Sequence, residues 1–250
     1  MNLLLKDKVA IITGSSQGIG AGIAKAFASQ GAKVVINYLR NHLKAGQLVD
    51  EITRHGGKAI AVKANIAEPS DITKLFETTI EAFGRLDILV NNTGVLEFEF
   101  LEAITPENLQ AQINTNLVGT ILSTQKAAAL MAKEGGSIIN ISATTSINPM
   151  PGTLVFSATK AAIDNITKVL SKELGPKNIR INTIAPGMTE TEGSHEKGIM
   201  GSEFEKQNIA ITPLRRIAQP HDIAKVAVFL ASDAAAWVTG ERIQVSGGQL

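Results

Sequence analysis

Seven short apolar runs alternate along the chain with longer segments in which apolar residues recur at helical spacing. The short runs are rich in Val and Ile and nearly continuous in apolar character, which is typical of parallel strands covered on both faces. Regular alternation of strand and helix predicts an α/β fold with one doubly wound parallel sheet and helices on both of its faces. The predicted strands are residues 9–13, 33–37, 58–64, 86–92, 136–142, 179–185 and 241–247.

The segments with helical spacing predict six helices, several of which end in glycine, a common helix stop. They are residues 19–30, 43–56, 72–84, 117–135, 156–175 and 221–232. No repeat or linker interrupts the pattern, so we expect residues 1–250 to form a single Rossmann-like domain. Ligands bind at the carboxyl ends of the strands in this architecture. The irregular segment 188–213 follows the sixth strand and is therefore expected to be a substrate lid, with an ordinary surface excursion as the alternative.

Composition narrows the function classes. The chain has 250 residues, 44% of them apolar, a formal net charge of +1 and no cysteine. The near-neutral charge gives no electrostatic case for nucleic acid or an anionic membrane, and no apolar run approaches the roughly 20 residues that span a bilayer. The N-terminal apolar run is too short for a signal peptide, and the four histidines lack metal-ligand spacing. We expect a soluble, cytoplasmic protein without a metal.

The first predicted strand is followed directly by TGSSQGIG, residues 13–20. A glycine-rich turn between a strand and a helix lets backbone N–H groups approach a phosphate at the positive end of the helix. The spacing is Gly-x3-Gly-x-Gly, and such turns also serve packing alone, but the strand–turn–helix context favours a nucleotide. The candidate residues of this glycine turn are Gly14, Ser16, Gln17, Gly18, Ile19 and Gly20.

The end of the second predicted strand indicates which dinucleotide is bound. An acidic side chain at this point of a dinucleotide-binding fold accepts hydrogen bonds from the ribose 2′-hydroxyl and repels a 2′-phosphate. No acid is present here and Arg40 is near, so the sequence favours NADP(H), with NAD(H) as the alternative. Arg40 has a second interpretation as a solvated charge at the start of a helix. The candidate residues are Asn37, Tyr38, Leu39 and Arg40.

Nearly the whole chain resembles the short-chain dehydrogenase/reductase family, in particular its 3-oxoacyl-ACP reductases and carbonyl reductases. The glycine turn is similar to the family's cofactor turn, Asn91–Gly94 resembles NNAG with Thr93 in the Ala place, and Pro186-Gly187 with Thr191 resembles PGxxxT. Asn65 stands where the family often has an Asp beside the adenine. Beyond the residues already named, the resemblance implies cofactor binding by Asn65, Ile66, Asn92, Thr93, Gly94, Lys160, Pro186, Gly187, Met188, Thr189 and Thr191.

The resemblance also implies four catalytic positions: Asn116, Ala143, Phe156 and Lys160. The family's YxxxK motif places a proton-donating tyrosine four residues before Lys160, where this chain has Phe156. The family's serine lies thirteen residues before that tyrosine, where this chain has Ala143. Loss of a general acid typically costs about 10²–10⁴ in rate, and loss of an oxyanion donor about 10²–10³. Lys160 is expected to keep its role of holding the nicotinamide ribose.

Neighbouring hydroxyls are possible replacements for the missing donors. Ser142 is expected to point to the opposite face of the sheet from Ala143, because adjacent strand residues alternate. The direction of the following helix argues against Ser157. The remaining candidates are Thr144, Thr145 and Ser146.

By resemblance, the expected reaction is hydride transfer between NADPH and a small-molecule ketone, and the expected assembly is a homotetramer with the Phe156–Lys160 helix at one interface. Three interpretations stay open. The chain is a reductase whose donors were removed or repurposed, which we favour, or a natural non-catalytic NADP(H)-binding protein, or a reductase of imines that arrive already protonated.

A few other residues have two interpretations each. His195 touches substrate from the lid or lies on the surface. Met150, Leu154 and Val155 form an apolar substrate wall or pack in the core. Trp237 belongs to the core or to an interface.

Overall fold

Seven parallel strands form one sheet in the computed structural model, which describes residues 3–131 and 134–249. The strand order is β3-β2-β1-β4-β5-β6-β7, and every neighbouring pair is parallel. The strands are β1 Val9–Ile12, β2 Lys33–Tyr38, β3 Lys58–Lys63, β4 Ile88–Asn91, β5 Gly136–Ile141, β6 Ile179–Pro186 and β7 Arg242–Val245. The predicted doubly wound fold and all seven of its strands are confirmed.

The helices lie on both faces of this sheet and build two apolar cores. Ala10 and Ile12 of β1 pack with one set of helices and Ile11 with the other, because successive strand residues point to opposite faces. Helices α1, α2 and α9 supply the first core, and α3, α5 and α6 contribute to the second. The helices are α1 Gly18–Ser29, α2 His42–Arg54, α3 Pro69–Phe83, α4 Pro106–Ile113, α5 Gly119–Met131, α6 Leu154–Leu174, α7 Glu192–Glu196, α8 Glu203–Ile211 and α9 Pro220–Ala231.

Three helices were not predicted from the sequence. Helix α4 begins at Pro106 after a Thr105 cap and continues into a π-helical turn, Asn114–Val118, that joins it to α5. The segment 188–213 contains α7 and α8, so it is more regular than its sequence indicated. Residues 132 and 133, in the predicted helix 117–135, lie outside the described residues.

The strand order fixes where a ligand binds. β1 lies between β2 and β4, so the chain crosses from one half of the sheet to the other beside β1. A crevice opens at such a switch point, outside the carboxyl ends of the strands. The glycine turn at the end of β1 and the NNTG segment at the end of β4 both lie there. Within the described ranges, no helix has the length and apolar character that crossing a bilayer requires.

Candidate active site

The glycine turn is packed so closely that its glycines are required. Gly14 and Gly18 both have φ near +60°, a conformation that other residues rarely adopt. A Cβ on Gly14 would lie 2.7 Å from Oγ1 of Thr93, and a Cβ on Gly20 would lie 2.6 Å from Nδ2 of Asn92. Asn92 in turn donates to the carbonyls of Thr13 and Gly14. Gly20 and Asn92 therefore hold the turn against the end of β4.

A cavity of about 660 Å³ opens beside the glycine turn. It contains seven of the predicted cofactor residues: Gly14, Asn37, Leu39, Arg40, Asn65, Ile66 and Thr93. Its other wall includes Glu97. It also includes Glu107 and Asn108 from α4, which were not predicted because α4 itself was not predicted. We call this space the adenosine cavity, after the part of the dinucleotide expected there.

The Asn37 side chain forms hydrogen bonds with backbone groups of the protein. Its Oδ1 accepts from the N–H of Gly14 at 3.0 Å, and its Nδ2 donates to the carbonyls of Val62 and Ala64. The side chain thus ties the glycine turn to the end of β3. Arg40 is exposed on the wall of the adenosine cavity.

A second cavity, of about 820 Å³, lies at the carboxyl ends of β5 and β6. Gly94 lines it next to Thr93 of the adenosine cavity, so the two spaces adjoin along the chain. It is bounded by Ala143 and the whole of the predicted segment Pro186–Thr189, with Thr191. Residues from α7 and α8, including Phe204 and Ile211, close the opposite side. We call it the substrate cavity.

Ten of the predicted site residues line neither cavity: Ser16, Gln17, Gly18, Ile19, Gly20, Tyr38, Asn92, Asn116, Phe156 and Lys160. Met150 lines the substrate cavity, whereas Leu154 and Val155 line a separate apolar groove between α4 and α6. His195 does not line the substrate cavity; its Nε2 lies 2.8 Å from Oε1 of Glu190. Trp237 is 99% exposed, so the interpretation as a core residue is wrong.

Lys160 lies buried on α6, close to Gly94, which lines the substrate cavity. Its Nζ donates to the carbonyl of Ile141 at 2.8 Å and lies 5.4 Å from the centre of the Phe156 ring. Burial lowers the pKa of Lys160 to about 8, and nearby Asp164 opposes that shift. A Cβ on Gly94 would lie 3.2 Å from Nζ, so glycine at position 94 keeps the space in front of the ammonium open.

Asn116 is held in the π-helical turn between α4 and α5. Its Oδ1 accepts from the N–H of Val95 at 2.7 Å, while its Nδ2 donates to the carbonyl of Val95 and to Oγ1 of Thr159. The Asn116 amide therefore connects the segment after β4 to α6, one residue before Lys160. The structure brings Asn116, Phe156 and Lys160 together, and we call them, with Ala143, the predicted catalytic cluster.

Ala143 follows β5 and is fixed through its backbone. Its carbonyl accepts from the guanidinium of Arg242. Arg242 also forms a 2.9 Å ion pair with Asp164, and the side chains of the two residues are only 13% and 11% exposed. Ser146 donates to the same Asp164 oxygen. None of these contacts uses the side chain at position 143, so its place is set independently of whether a hydroxyl is present.

Most neighbouring hydroxyls are already committed to other partners. Ser142 donates to the carbonyl of Lys160, Ser157 bonds with Thr153, and Ser146 donates to Asp164. Thr144 and Thr145 line the substrate cavity, and Oγ1 of Thr145 is buried without a hydrogen-bond partner. Of the candidate donors, only these two threonines line the cavity that Ala143 also lines, and the hydroxyl oxygen of Thr145 is closed off from it.

A family model described as enoyl-(acyl carrier protein) reductase matches residues 14–249. An uncharacterized oxidoreductase of Methylorubrum extorquens is 50% identical over 244 residues, covering 98% of each chain. A solved short-chain dehydrogenase/reductase from Serratia marcescens superposes with a TM-score of 0.92 at 32% identity, again covering 98% of each chain. The chain belongs to the short-chain dehydrogenase/reductase family. It is, by this resemblance, an oxidoreductase.

A further solved structure matches the whole chain. It is a 7α-hydroxysteroid dehydrogenase in complex with NADH and 7-oxo glycochenodeoxycholic acid, with a TM-score of 0.95 and 36% identity. The match covers 100% of this chain and 96% of the hydroxysteroid dehydrogenase chain. Among the residues that the structure describes, no group of three or more His, Asp or Glu side chains is arranged to hold a metal ion.

Proposed function

We propose that the chain binds a nicotinamide dinucleotide along the adenosine and substrate cavities, with NADP(H) preferred over NAD(H). The residues present suit such a ligand. Gly14 allows the close packing against Thr93 that a Cβ would prevent, and Gly94 keeps the space beside the Lys160 ammonium open. The buried Oγ1 of Thr93 has no hydrogen-bond partner within the protein. A family member of similar structure is complexed with NADH, which supports the cofactor class.

The proposed preference for NADP(H) depends on the wall of the adenosine cavity beyond β2. This wall presents Leu39 and Arg40 and no acidic side chain directly after the strand. A guanidinium suits a 2′-phosphate because it pairs with phosphate oxygens in a planar, bidentate way. Glu97 and Glu107 line other parts of the same cavity and set a limit on how strongly an added phosphate is favoured.

We propose that the reaction supported by this scaffold is reversible reduction of a small-molecule ketone to a secondary alcohol. When bound, the nicotinamide supplies the hydride to the carbonyl carbon, and the carbonyl oxygen takes a proton. Lys160 and Asn116 organise the floor of the site. Neither Ala143 nor Phe156 has a side-chain donor for the developing oxygen charge, so we propose that proton delivery is strongly impaired.

The observation that carries this proposal is the Phe156 ring beside the buried ammonium of Lys160. An ammonium 5.4 Å from a ring centre has a favourable cation–π contact. The ring therefore fills the tyrosine position without disturbing the lysine. This arrangement also suits two alternatives: a protein that binds the dinucleotide without turnover, and a reductase of protonated imines, in which the substrate nitrogen brings its own proton.

The test is NADPH oxidation with a panel of ketones and protonated cyclic imines, for this chain and for its Ala143→Ser, Phe156→Tyr double variant. The proposal predicts ketone turnover by the double variant that exceeds that of this chain by about 10²–10⁴-fold. Equal ketone turnover by both proteins would show that another group delivers the proton. Turnover of imines alone by the unchanged chain would support the imine alternative.

We further propose a cytoplasmic homotetramer with α6 at one interface. An apolar groove of about 490 Å³ runs between α4 and α6 and includes Leu101, Leu109 and Leu154, which are all exposed. Burial of this surface against a second copy would remove it from water. Light scattering that shows a monomer at micromolar concentration would contradict the proposal.

We also propose that residues 1–250 act as one dinucleotide-binding domain in which 188–213 is the lid. Helices α7 and α8 of this segment supply one side of the substrate cavity. Protection of the lid from trypsin at Lys197 on addition of NADPH would support this role, and unchanged cleavage would oppose it.

A further inference from the structure

One contact crosses from the lid to the glycine turn. Oε2 of Glu192 accepts a hydrogen bond from the backbone N–H of Gly18 at 2.8 Å, although the two residues are 174 positions apart. Glu192 is the first residue of α7, and Gly18 is the first residue of α1. The contact therefore places a lid carboxylate at the start of the helix that follows the glycine turn.

The start of α1 has no anion of its own. The helix has no acidic residue in its first turn, and its N-cap residue, Gln17, makes no side-chain capping bond. The first N–H groups of a helix have no partner within the helix and carry partial positive charge, so they attract anions. Glu192 supplies the negative charge that this helix start lacks.

The position of Glu192 is fixed from both sides. Thr191 before it and Ser194 after it form a reciprocal capping box that sets the start of α7. Toward the turn, a Cβ on Gly18 would lie 3.3 Å from the methyl group of Thr191, so the lid packs directly on the turn. Nearby, Lys44 donates to Oε1 of Gln17 at 2.9 Å and lies 3.9 Å from the carboxylate of Glu196.

A phosphate bound by a glycine-rich turn uses the same backbone N–H groups at the helix start. The N–H of Gly18 is a single donor, so full bonds to a carboxylate and to a phosphate oxygen exclude one another. A carboxylate and a phosphate that both approach this N–H group also repel each other. We propose that Glu192 is an internal competitor for the pyrophosphate position, so that dinucleotide binding displaces its carboxylate and Glu192 sets the cofactor affinity.

This inference rests on the proposed dinucleotide site, but it adds a role to a residue outside the family motifs described above. It also links cofactor binding to the lid, because α7 begins at Glu192 and displacement of the carboxylate releases one of the contacts that hold α7 on the turn. Loss of this competitor is expected to tighten binding roughly three- to tenfold, the range for a carboxylate that is exposed at a helix start.

The test is calorimetric titration of NADPH into the full chain and into three variants. Glu192→Gln keeps the shape and removes the charge, whereas Glu192→Ala removes the contact. Glu196→Gln is the matched control, because it removes an equal charge from the same helix without touching Gly18. The expected result is a lower Kd for both Glu192 variants and a Kd within about twofold of the unchanged chain for Glu196→Gln.

The outcomes separate this inference from the proposed function. NADPH binding by all four proteins with equal or weaker affinity in the Glu192 variants would overturn the competitor role and leave the dinucleotide site intact. An equal gain in Glu196→Gln would also overturn it, since general charge repulsion would then explain the effect. No binding of NADPH by any of the four proteins would overturn both proposals.

Discussion

The glycine turn and the predicted catalytic cluster lie at the same edge of the sheet, yet they differ in what their side chains provide. The turn retains the glycines and backbone donors that a phosphate needs. The cluster retains Asn116 and Lys160, whose hydrogen bonds go to backbone carbonyls, a backbone N–H and Thr159. It has no side-chain hydroxyl at positions 143 and 156. The packing of the cluster therefore does not depend on hydroxyls at these two positions. We propose that their absence impairs proton delivery.

Because the packing of the cluster does not need the hydroxyls, we expect the largest effect from restoring the phenol at position 156. Phe156→Tyr alone is expected to raise ketone turnover by about 10²–10⁴-fold, because a phenol beside the Lys160 ammonium restores a proton donor. Ala143→Ser alone is expected to give a much smaller gain, because a second hydrogen-bond donor helps little where the proton cannot be delivered. Initial rates of NADPH oxidation measure both. A larger gain from Ala143→Ser would reverse the proposed order of the two groups.

Breaking the network that holds Ala143 is predicted to lower the free energy of unfolding strongly. Asp164→Ala leaves the nearly buried guanidinium of Arg242 without its carboxylate, so the free energy of unfolding is expected to fall by about 3–5 kcal/mol. The exposed pair Lys206–Glu203 provides the contrast, and Glu203→Ala is expected to cost less than about 1 kcal/mol. Urea unfolding of both variants tests this difference. Similar losses of stability in the two variants would show that the Asp164–Arg242 pair contributes no more than an exposed ion pair.

The burial of Lys160 is expected to make the free energy of unfolding depend on pH. Its pKa is lowered from 10.5 to about 8 by burial, so the unfolded chain binds more protons than the folded chain between these two values. The contribution of Lys160 to the free energy of unfolding is then lowest below pH 8 and rises with pH up to 10.5, by at most about 3 kcal/mol. Lys160→Met lacks this rise, so the stability difference between the unchanged chain and the variant is expected to change by that amount.

Urea unfolding between pH 7 and 10.5 measures this difference. Lys168→Met, at an exposed position of the same helix, is the control and is expected to follow the unchanged chain. Parallel pH profiles for the unchanged chain and Lys160→Met would contradict the account of a buried ammonium that is costly to charge.

The smallest predicted effect concerns cofactor choice. Arg40→Ala is expected to reduce the preference for NADPH over NADH by roughly fivefold, in the range of an exposed charged contact. The ratio of the two dissociation constants measures it. An unchanged ratio would support the alternative that Arg40 is only a solvated charge, and would leave the glycine turn unaffected.

The sequence predicted the sheet because most of its strands are short apolar runs that helices cover on both faces. The edge strands β3 and β7 are less buried than the others. It did not predict α4, although Thr105-Pro106 is a recognisable helix start, because the helix has only one buried residue, Gln112, and thus no apolar stripe. It also did not predict α7 and α8, whose exposed faces resemble a loop in composition.

The candidate site was predictable to the extent that its residues are close in sequence. The glycine turn, the NNTG segment and the positions around Lys160 were located from local patterns. The contact between Glu192 and Gly18 and the ion pair between Asp164 and Arg242 join distant segments, and a sequence pattern carries no information on such distances. Trp237 shows the same limit, because its exposure depends on what surrounds it and not on its residue type.

The cofactor end of the site is expected to be independent of the missing hydroxyls. The most direct test is the dissociation constant of NADPH for this chain and for the Ala143→Ser, Phe156→Tyr double variant, measured by calorimetry on the same preparations that are used for turnover. We expect dissociation constants within about twofold of each other, while turnover differs by about 10²-fold or more. A dissociation constant that differs by more than about tenfold, equivalent to about 1.4 kcal/mol, would show that the two ends are coupled and would contradict the account.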